Sequence, residues 1–167
     1  EIVRGVNYTA SEVGHHIIKL NGPQCNCGNK GCLEAIAAKV GMIKYMKTLV
    51  DKDGKKTALE KIAPNWRTTV GSSALRKAFT KKDPVVVKAL KRSAKAIGVA
   101  AANLVTLTGV EAIIMGGGVI EELGDFFMPL IKESLLKHTF ADGAKGVQLL
   151  QSALGDDAVA LGAAWFV

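Results

Sequence analysis

One imidazole and three thiols stand close together between positions 15 and 32: His15, Cys25, Cys27 and Cys32. Gly22, Pro23, Gly28 and Gly31 lie among them and let the chain curl back on itself. Zinc takes four tetrahedral ligands of N and S type, and this is a Cys3His set. A closed shell of four protein ligands leaves no position for water, so such a site is structural rather than catalytic. Iron-sulfur clusters normally want four cysteines. A redox pair would leave the third cysteine unexplained. Nucleic-acid zinc modules usually space two ligand pairs further apart. Three unrelated buried thiols fit poorly with crowding into a polar, glycine-rich loop. An odd number of cysteines in one short stretch is no disulfide framework, which points to a reducing, cytoplasmic setting.

A second feature is Gly116, Gly117 and Gly118, which follow an apolar stretch. Glycines after a strand let the backbone approach a flat ligand, and amides opening the next helix can face an anion. The run is not a dinucleotide fingerprint, because Glu121 stands where the third glycine belongs, and no segment fits a phosphate-binding loop with Lys and Ser or Thr. His16 reads as an ordinary hydrogen-bonded histidine.

The elements that position these groups follow from periodicity and breakers. Residues 1–20 carry short β-branched stretches that suit one or two strands. A loop spans Asn21 to Gly31, and from Leu33 through Ile36, Ala37, Val40, Ile43 and Met46 the apolar spacing is helical. Residues 51–82 are patchy, with a short amphipathic piece at Ala74 to Phe79. Asp83 followed by Pro84 is a helix start, since Asp caps free amides and proline at the first position lacks only an unpartnered one. Val86, Leu90, Ala94, Ile97, Ala101 and Leu104 form its buried stripe, with Lys88, Lys91, Arg92 and Lys95 on a solvated face. Val110 to Met115 reads as a buried strand, Glu121 to His138 as a helix irregular near Pro129, Val147 to Leu150 as a short strand, and Asp156 to Val167 as a closing helix. Strands alternating with helices predict an α/β sheet.

The 167 residues, 49% hydrophobic and 22% charged, suit one globular domain, 1–167, and exclude disorder. The longest uncharged run, Ala96 to Val110, is shorter than a membrane span and broken by Asn103, Thr106 and Thr108, so no membrane partner is expected. Position 1 is Glu, and no apolar segment with a small-residue cleavage site follows, so we expect no signal peptide and a chain that begins in mid-protein. The net charge of +7 suits an anionic partner, but 5% aromatic residues is poor for base stacking.

Glu12, Val13, Gly14 and His15, followed after nine residues by Cys25-Asn26-Cys27-Gly28-Asn29-Lys30-Gly31-Cys32-Leu33-Glu34, closely resemble the signature of the ROK family of sugar kinases and sugar-responsive repressors. The resemblance continues through the triple glycine to Leu154–Ala164, so the whole chain resembles roughly the C-terminal half of a ROK protein. It implies an α/β fold, the C-terminal domain of an actin-like, ribonuclease H-like sugar kinase with a zinc loop at 15–32. It implies that Glu12, His15 and Glu34 contact hydroxyls of a bound sugar, that His15, Cys25, Cys27 and Cys32 hold structural zinc, and that Gly116, Gly117 and Gly118 contact adenosine. One imidazole nitrogen on the metal fixes the ring and leaves the other N–H as an aimed donor. The family's Asp-Gly-Gly-Thr-like phosphate motif, its catalytic Asp in an Asn-Asp segment and its second glycine-rich phosphate turn do not occur in the sequence. No catalytic residue is therefore expected here, and ATP and Mg would belong to a complete kinase of glucose or N-acetylhexosamine type. The implied partners are a small-molecule sugar, ATP and further copies of the chain. The alternative is the effector domain of a ROK repressor, for which nucleic acid would be a partner through an N-terminal helix-turn-helix.

Overall fold

The computed structural model describes residues 2–165. In chain order, a 3-10 turn at Val13–His15 precedes α1 (Leu33–Ala37), α2 (Lys39–Asp51), α3 (Leu59–Ile62), α4 (Ser72–Thr80), α5 (Pro84–Thr108), β1 (Ala112–Met115), α6 (Gly118–His138), β2 (Gln148–Gln151), a second 3-10 turn (Gly155–Asp157) and α7 (Ala158–Trp165). No helix is long and apolar enough to cross a membrane among the described residues.

The scaffold is α5. At its start Asp83 is 4% exposed and its carboxylate is fully engaged. Oδ1 accepts from the amides of Val85 and Val86, each at 2.9 Å, while Oδ2 accepts from the Thr57 hydroxyl at 2.9 Å and from the Ala58 amide. The same side chain thus caps α5 and pins the loop that leads into α3. Asp83→Ala would strand four donors, and we expect a loss of about 3 kcal/mol or more, seen as a lower urea midpoint. Asp83→Asn, which keeps an acceptor, should lose less. An Asp83→Ala midpoint equal to wild type would refute this account.

Val85, Val86, Ala89, Leu90 and Ala94 of α5 enter a core shared with Met42, Ile43, Met46 and Leu49 of α2, Leu59 of α3, Trp66, Leu75 and Ala78 of α4, and Ile120, Leu123, Phe127 and Ile131 of α6. Ile97 packs against that core while Ala101 joins a smaller cluster with Val105 and Leu135, so the expected stripe is realised along the helix. Arg92 departs from the expected solvated face. Its Nη1 donates to the Ile36 carbonyl at 3.1 Å and its guanidinium lies 4.5 Å from the Tyr45 ring centroid. Burial lowers its pKa from the ordinary arginine value.

Four expectations are revised. Residues 2–20 form no strand: Val3 and Val6 are 73% and 97% exposed, and β-branched residues without a pairing partner cannot hold one. The helix after the cysteines is two helices, broken at Ala38, whose ψ of 165° is extended. The break lets α1 turn Ile36 and Ala37 against Ala96 of α5 while α2 faces the main core. The irregularity in α6 lies at Leu123 (φ −133°), not at Pro129. There the ladder is opened by outside donors: Gln151 Nε2 reaches the Ile120 carbonyl at 3.5 Å, and Arg76 donates to that of Glu122.

The fourth concerns the sheet. β1 and β2 pair in parallel, Ala112 with Gln148 through Met115 with Gln151, as the only sheet among the described residues. Ile113, Met115 and Leu149 pack inward, but Ile114 is 68% exposed and Leu150 43%. The apolar run promised burial on both faces, and only one is covered. The closing helix runs to Trp165, and Phe166 and Val167 lie outside the described residues.

Candidate metal centre and glycine turn

The loop from Ile17 to Cys32 is closed by its own backbone. Isolated antiparallel bridges join Ile17 to Cys32 and Gln24 to Lys30. The Ile18 amide donates to Gly31 at 3.0 Å, the Gly31 amide to Pro23 at 2.9 Å, the Cys25 amide to Asn29 at 2.8 Å, and the Leu33 amide to His16 at 3.1 Å. These bonds carry His15 across to the three cysteines. Gly31 sits at φ +84°, and a Cβ there would come within 1.8 Å of the Lys19 carbonyl oxygen, so only glycine fits the crossing. Gln24, which sequence reasoning passed over, ties the knuckle: Nε2 donates to the carbonyls of Gly28 (2.9 Å), Cys25 and Asn29 (both 3.3 Å). Nothing in its local pattern marks it, because the acceptors are backbone carbonyls.

The ligand atoms of His15, Cys25, Cys27 and Cys32 all lie within 4.8 Å of one another. Cys25 Sγ is 3.7 Å from His15 Nδ1 and Cys27 Sγ is 3.6 Å from Cys32 Sγ. A tetrahedron with zinc-sulfur bonds of about 2.3 Å has edges of roughly 3.8 Å. The donor set and its spacing therefore fit a tetrahedral zinc ion. All three cysteines are free, with Cys25 and Cys32 buried and Cys27 exposed.

The electrostatics of the cluster fit the same reading. Burial, helped by the neighbouring Cys27 and Cys25 thiols, pushes Cys32 up to about 12. The Asn29 amide and the Cys25 thiol hold Cys27 below its ordinary value. Hydrogen bonding to Cys25 raises the His15 imidazole against the opposing effect of burial, and the charges of Glu34, Cys25 and Glu12 add to the rise. Three thiols this close cannot all ionise without a cation among them.

Glu12 immediately precedes the 3-10 turn that presents His15, and the His15 amide donates to its carbonyl at 3.0 Å. Glu34 is half-buried in the first turn of α1, directly after Cys32, and its Oε1 accepts from Cys25 Sγ at 3.8 Å. Two carboxylates thus act on the one imidazole that also faces the thiols. His16 behaves as expected: Nδ1 donates to the Val13 carbonyl at 2.6 Å, and Nε2 lies 3.5 Å from Asn103 Nδ2.

The triple glycine forms a separate site, at the C-terminal end of β1 and the start of α6. Gly117 (φ +91°) turns the chain, and its carbonyl accepts from the amides of Ile120 and Glu121. A Cβ on Gly117 would meet open space, whereas Cβ atoms on Gly116 and Gly118 would approach Ser152 and Ser72 to 3.3 and 3.0 Å. The turn lies at the carboxyl end of β1, with Ser152 just after β2 and Ser72 at the start of α4 as its neighbours.

Comparison with known proteins agrees with this architecture. The chain is 31% identical over 163 residues to the N-acetylmannosamine kinase of Pasteurella multocida, covering 96% of itself and 47% of that protein. It is 29% identical over 164 residues to the xylose repressor of Caldicellulosiruptor bescii, covering 97% of itself and 40% of the repressor. A ROK family glucokinase from Streptomyces griseus, solved in complex with glucose and AMPPNP, superimposes with a TM-score of 0.84 at 26% identity, over 100% of this chain and 54% of the glucokinase. The chain spans about half the length of the relatives it matches. The ROK family model matches residues 1–167, and the chain belongs to the ROK family.

Proposed function

We propose that this chain is the substrate-, zinc- and nucleotide-contacting half of an ATP-dependent hexose kinase. The observation that carries the reading is the gathering of Glu12, Glu34 and His15 beside a Cys3His cluster. His15, Cys25, Cys27 and Cys32 would hold the zinc, which when bound cross-links the loop to α1 and supplies no chemistry of its own. With Nδ1 facing the thiols, His15 keeps Nε2–H as a fixed donor. The carboxylates of Glu12 and Glu34 accept hydrogen bonds from sugar hydroxyls, two at a time when oriented. Gly116, Gly117 and Gly118 offer backbone to the adenosine of ATP, whose phosphates and magnesium need groups that this sequence lacks. The free thiols suit a reducing, cytoplasmic setting.

Similarity to xylose repressors favours a second reading, a sugar-sensing effector domain whose DNA-binding part lies elsewhere. The upstream sequence discriminates: a catalytic Asn-Asp with a phosphate motif, or a helix-turn-helix. Both readings share the sugar site. In the intact parent protein, Glu34→Ala should weaken binding of the cognate hexose by about 1–3 kcal/mol, the cost of unpaired polar partners. Calorimetry showing wild-type affinity in that variant would remove Glu34 from the site.

A further inference from the structure

We propose that the groove between α2 and the loop following Trp66 is a binding site for a small phosphate monoester, distinct from the metal centre and the glycine turn. The groove encloses ≈ 310 Å³, at the lower end of the roughly 300–1,000 Å³ typical of small-ligand sites. Its walls carry Lys39, Lys44 and Lys47 of α2 together with Arg67, and no carboxylate lines it among the described residues. Lys39, Ile43 and Lys47 recur every four residues, so one helix face supplies both the cations and the apolar floor.

The four cations are not equivalent. Arg67 is anchored, with Nη1 donating to both Asp51 oxygens at 2.9 and 3.1 Å and Nη2 to Glu60 at 3.5 Å. The three lysines form no ion pair among the described residues. Ala38 offers no capping side chain, and the first turn carries Lys39 and no acid, where the helix dipole favours negative charge. Lysines gathered around one groove without a carboxylate partner repel one another unless an anion joins them, and a phosphate dianion would accept from their ammonium groups.

The floor decides the rest of the ligand. Ile43 and Val70 are buried core residues that line the groove, and Thr69 lines it beside them. A short polar body with some apolar surface, such as a sugar, fits there. No aromatic residue lines the groove to stack a base. None of the groove residues belongs to the proposed sugar, zinc or adenosine contacts, so the inference stands apart from the kinase reading.

The test is calorimetric titration of the zinc-loaded full chain with glucose 6-phosphate, inorganic phosphate and glucose. We expect saturable binding of glucose 6-phosphate, at least tenfold weaker binding of inorganic phosphate to the same site, and loss of at least tenfold in affinity in Lys39→Gln/Lys44→Gln. Both lysines are exposed, so that variant should keep the wild-type melting temperature. Lys88→Gln/Lys91→Gln on α5 should leave the affinity unchanged. Backbone amide shifts should concentrate at the start of α2 and at Thr68–Val70. No saturable binding, an equal loss in the α5 pair, or free phosphate binding as tightly as the ester would each overturn the proposal. Displacement of the ester by an oligonucleotide with a steep salt dependence would overturn it in favour of a nucleic-acid surface.

Discussion

Protein purified without added metal is expected to carry one tightly held zinc per chain, and stripping it should collapse the segment from His15 to Cys32 and lower the melting temperature. Structural zinc in small modules contributes about 10–16 kcal/mol of binding free energy that appears as folding free energy. Beyond its backbone hydrogen bonds the segment has little apolar support: Cys25 and Cys32, both candidate ligands, cluster only with Ala35 of α1 among the described residues. Cys27→Ser is the sharpest variant, because Cys27 is exposed and its replacement removes a ligand without opening a cavity. It should bind zinc poorly and melt well below wild type, and a chelator should lower the wild type to the mutant without affecting the mutant further. A wild-type chain that purifies metal-free and melts with Cys27→Ser would sink the metal site.

The pH dependence has opposite signs with and without metal. Loaded chain must keep its thiolates, so protons compete with zinc and retention should weaken as pH falls from 8 to 6. In stripped chain, Cys32 is held up to about 12, above its unfolded value. The stability that this contributes is fully present below the ordinary thiol range and is lost as pH rises from there toward 12. Metal retention of the loaded form as pH falls from about 8 to 6, and thermal melts of the stripped form as pH rises toward 12, check the two signs.

The second large effect is catalytic. The 167-residue chain, given zinc, ATP, magnesium and the right hexose, is expected to show no measurable sugar kinase turnover. Phosphoryl transfer needs positioned phosphates, a metal bound to them and a group that accepts the hydroxyl proton. In the proposed reading Glu12, His15, Glu34 and the glycine turn supply substrate and adenosine contacts alone. Loss of a general base typically costs about two to four powers of ten in rate, and loss of phosphate positioning multiplies that penalty. On the kinase reading, a coupled assay should therefore find no turnover in this chain, and turnover when it is joined to the N-terminal half of a ROK sugar kinase. Activity in the short chain within tenfold of the long one would mean that an acid such as Glu12 acts as the base.

Much of the helical frame was legible in residues. Asp83 and Pro84 announce the start of α5 because a capping carboxylate and a proline at the first position act locally, and Gly109 ends it at φ +63°. The Cys3His cluster was legible for the same reason: its four candidate ligands sit on one short stretch, and the structure brings their ligand atoms within 4.8 Å of one another. Arg92 was misread, since helical spacing shows which residues share a face but not that a guanidinium will reach a carbonyl on α1 and a ring on α2.

By itself the sequence determined the ligand types, the family signature and the long amphipathic helix, all governed by interactions within a few residues or along one helix. The tertiary structure alone decided how His15 crosses to Cys25, because that approach depends on hydrogen bonds between Gly31, Ile18 and Pro23. It also decided that Ile113 and Met115 are covered while Ile114 faces outward, and that α6 bends at Leu123 beside Gln151 and Arg76. Periodicity says which side of a strand is apolar. Only the packing of other elements says whether a layer is there to cover it.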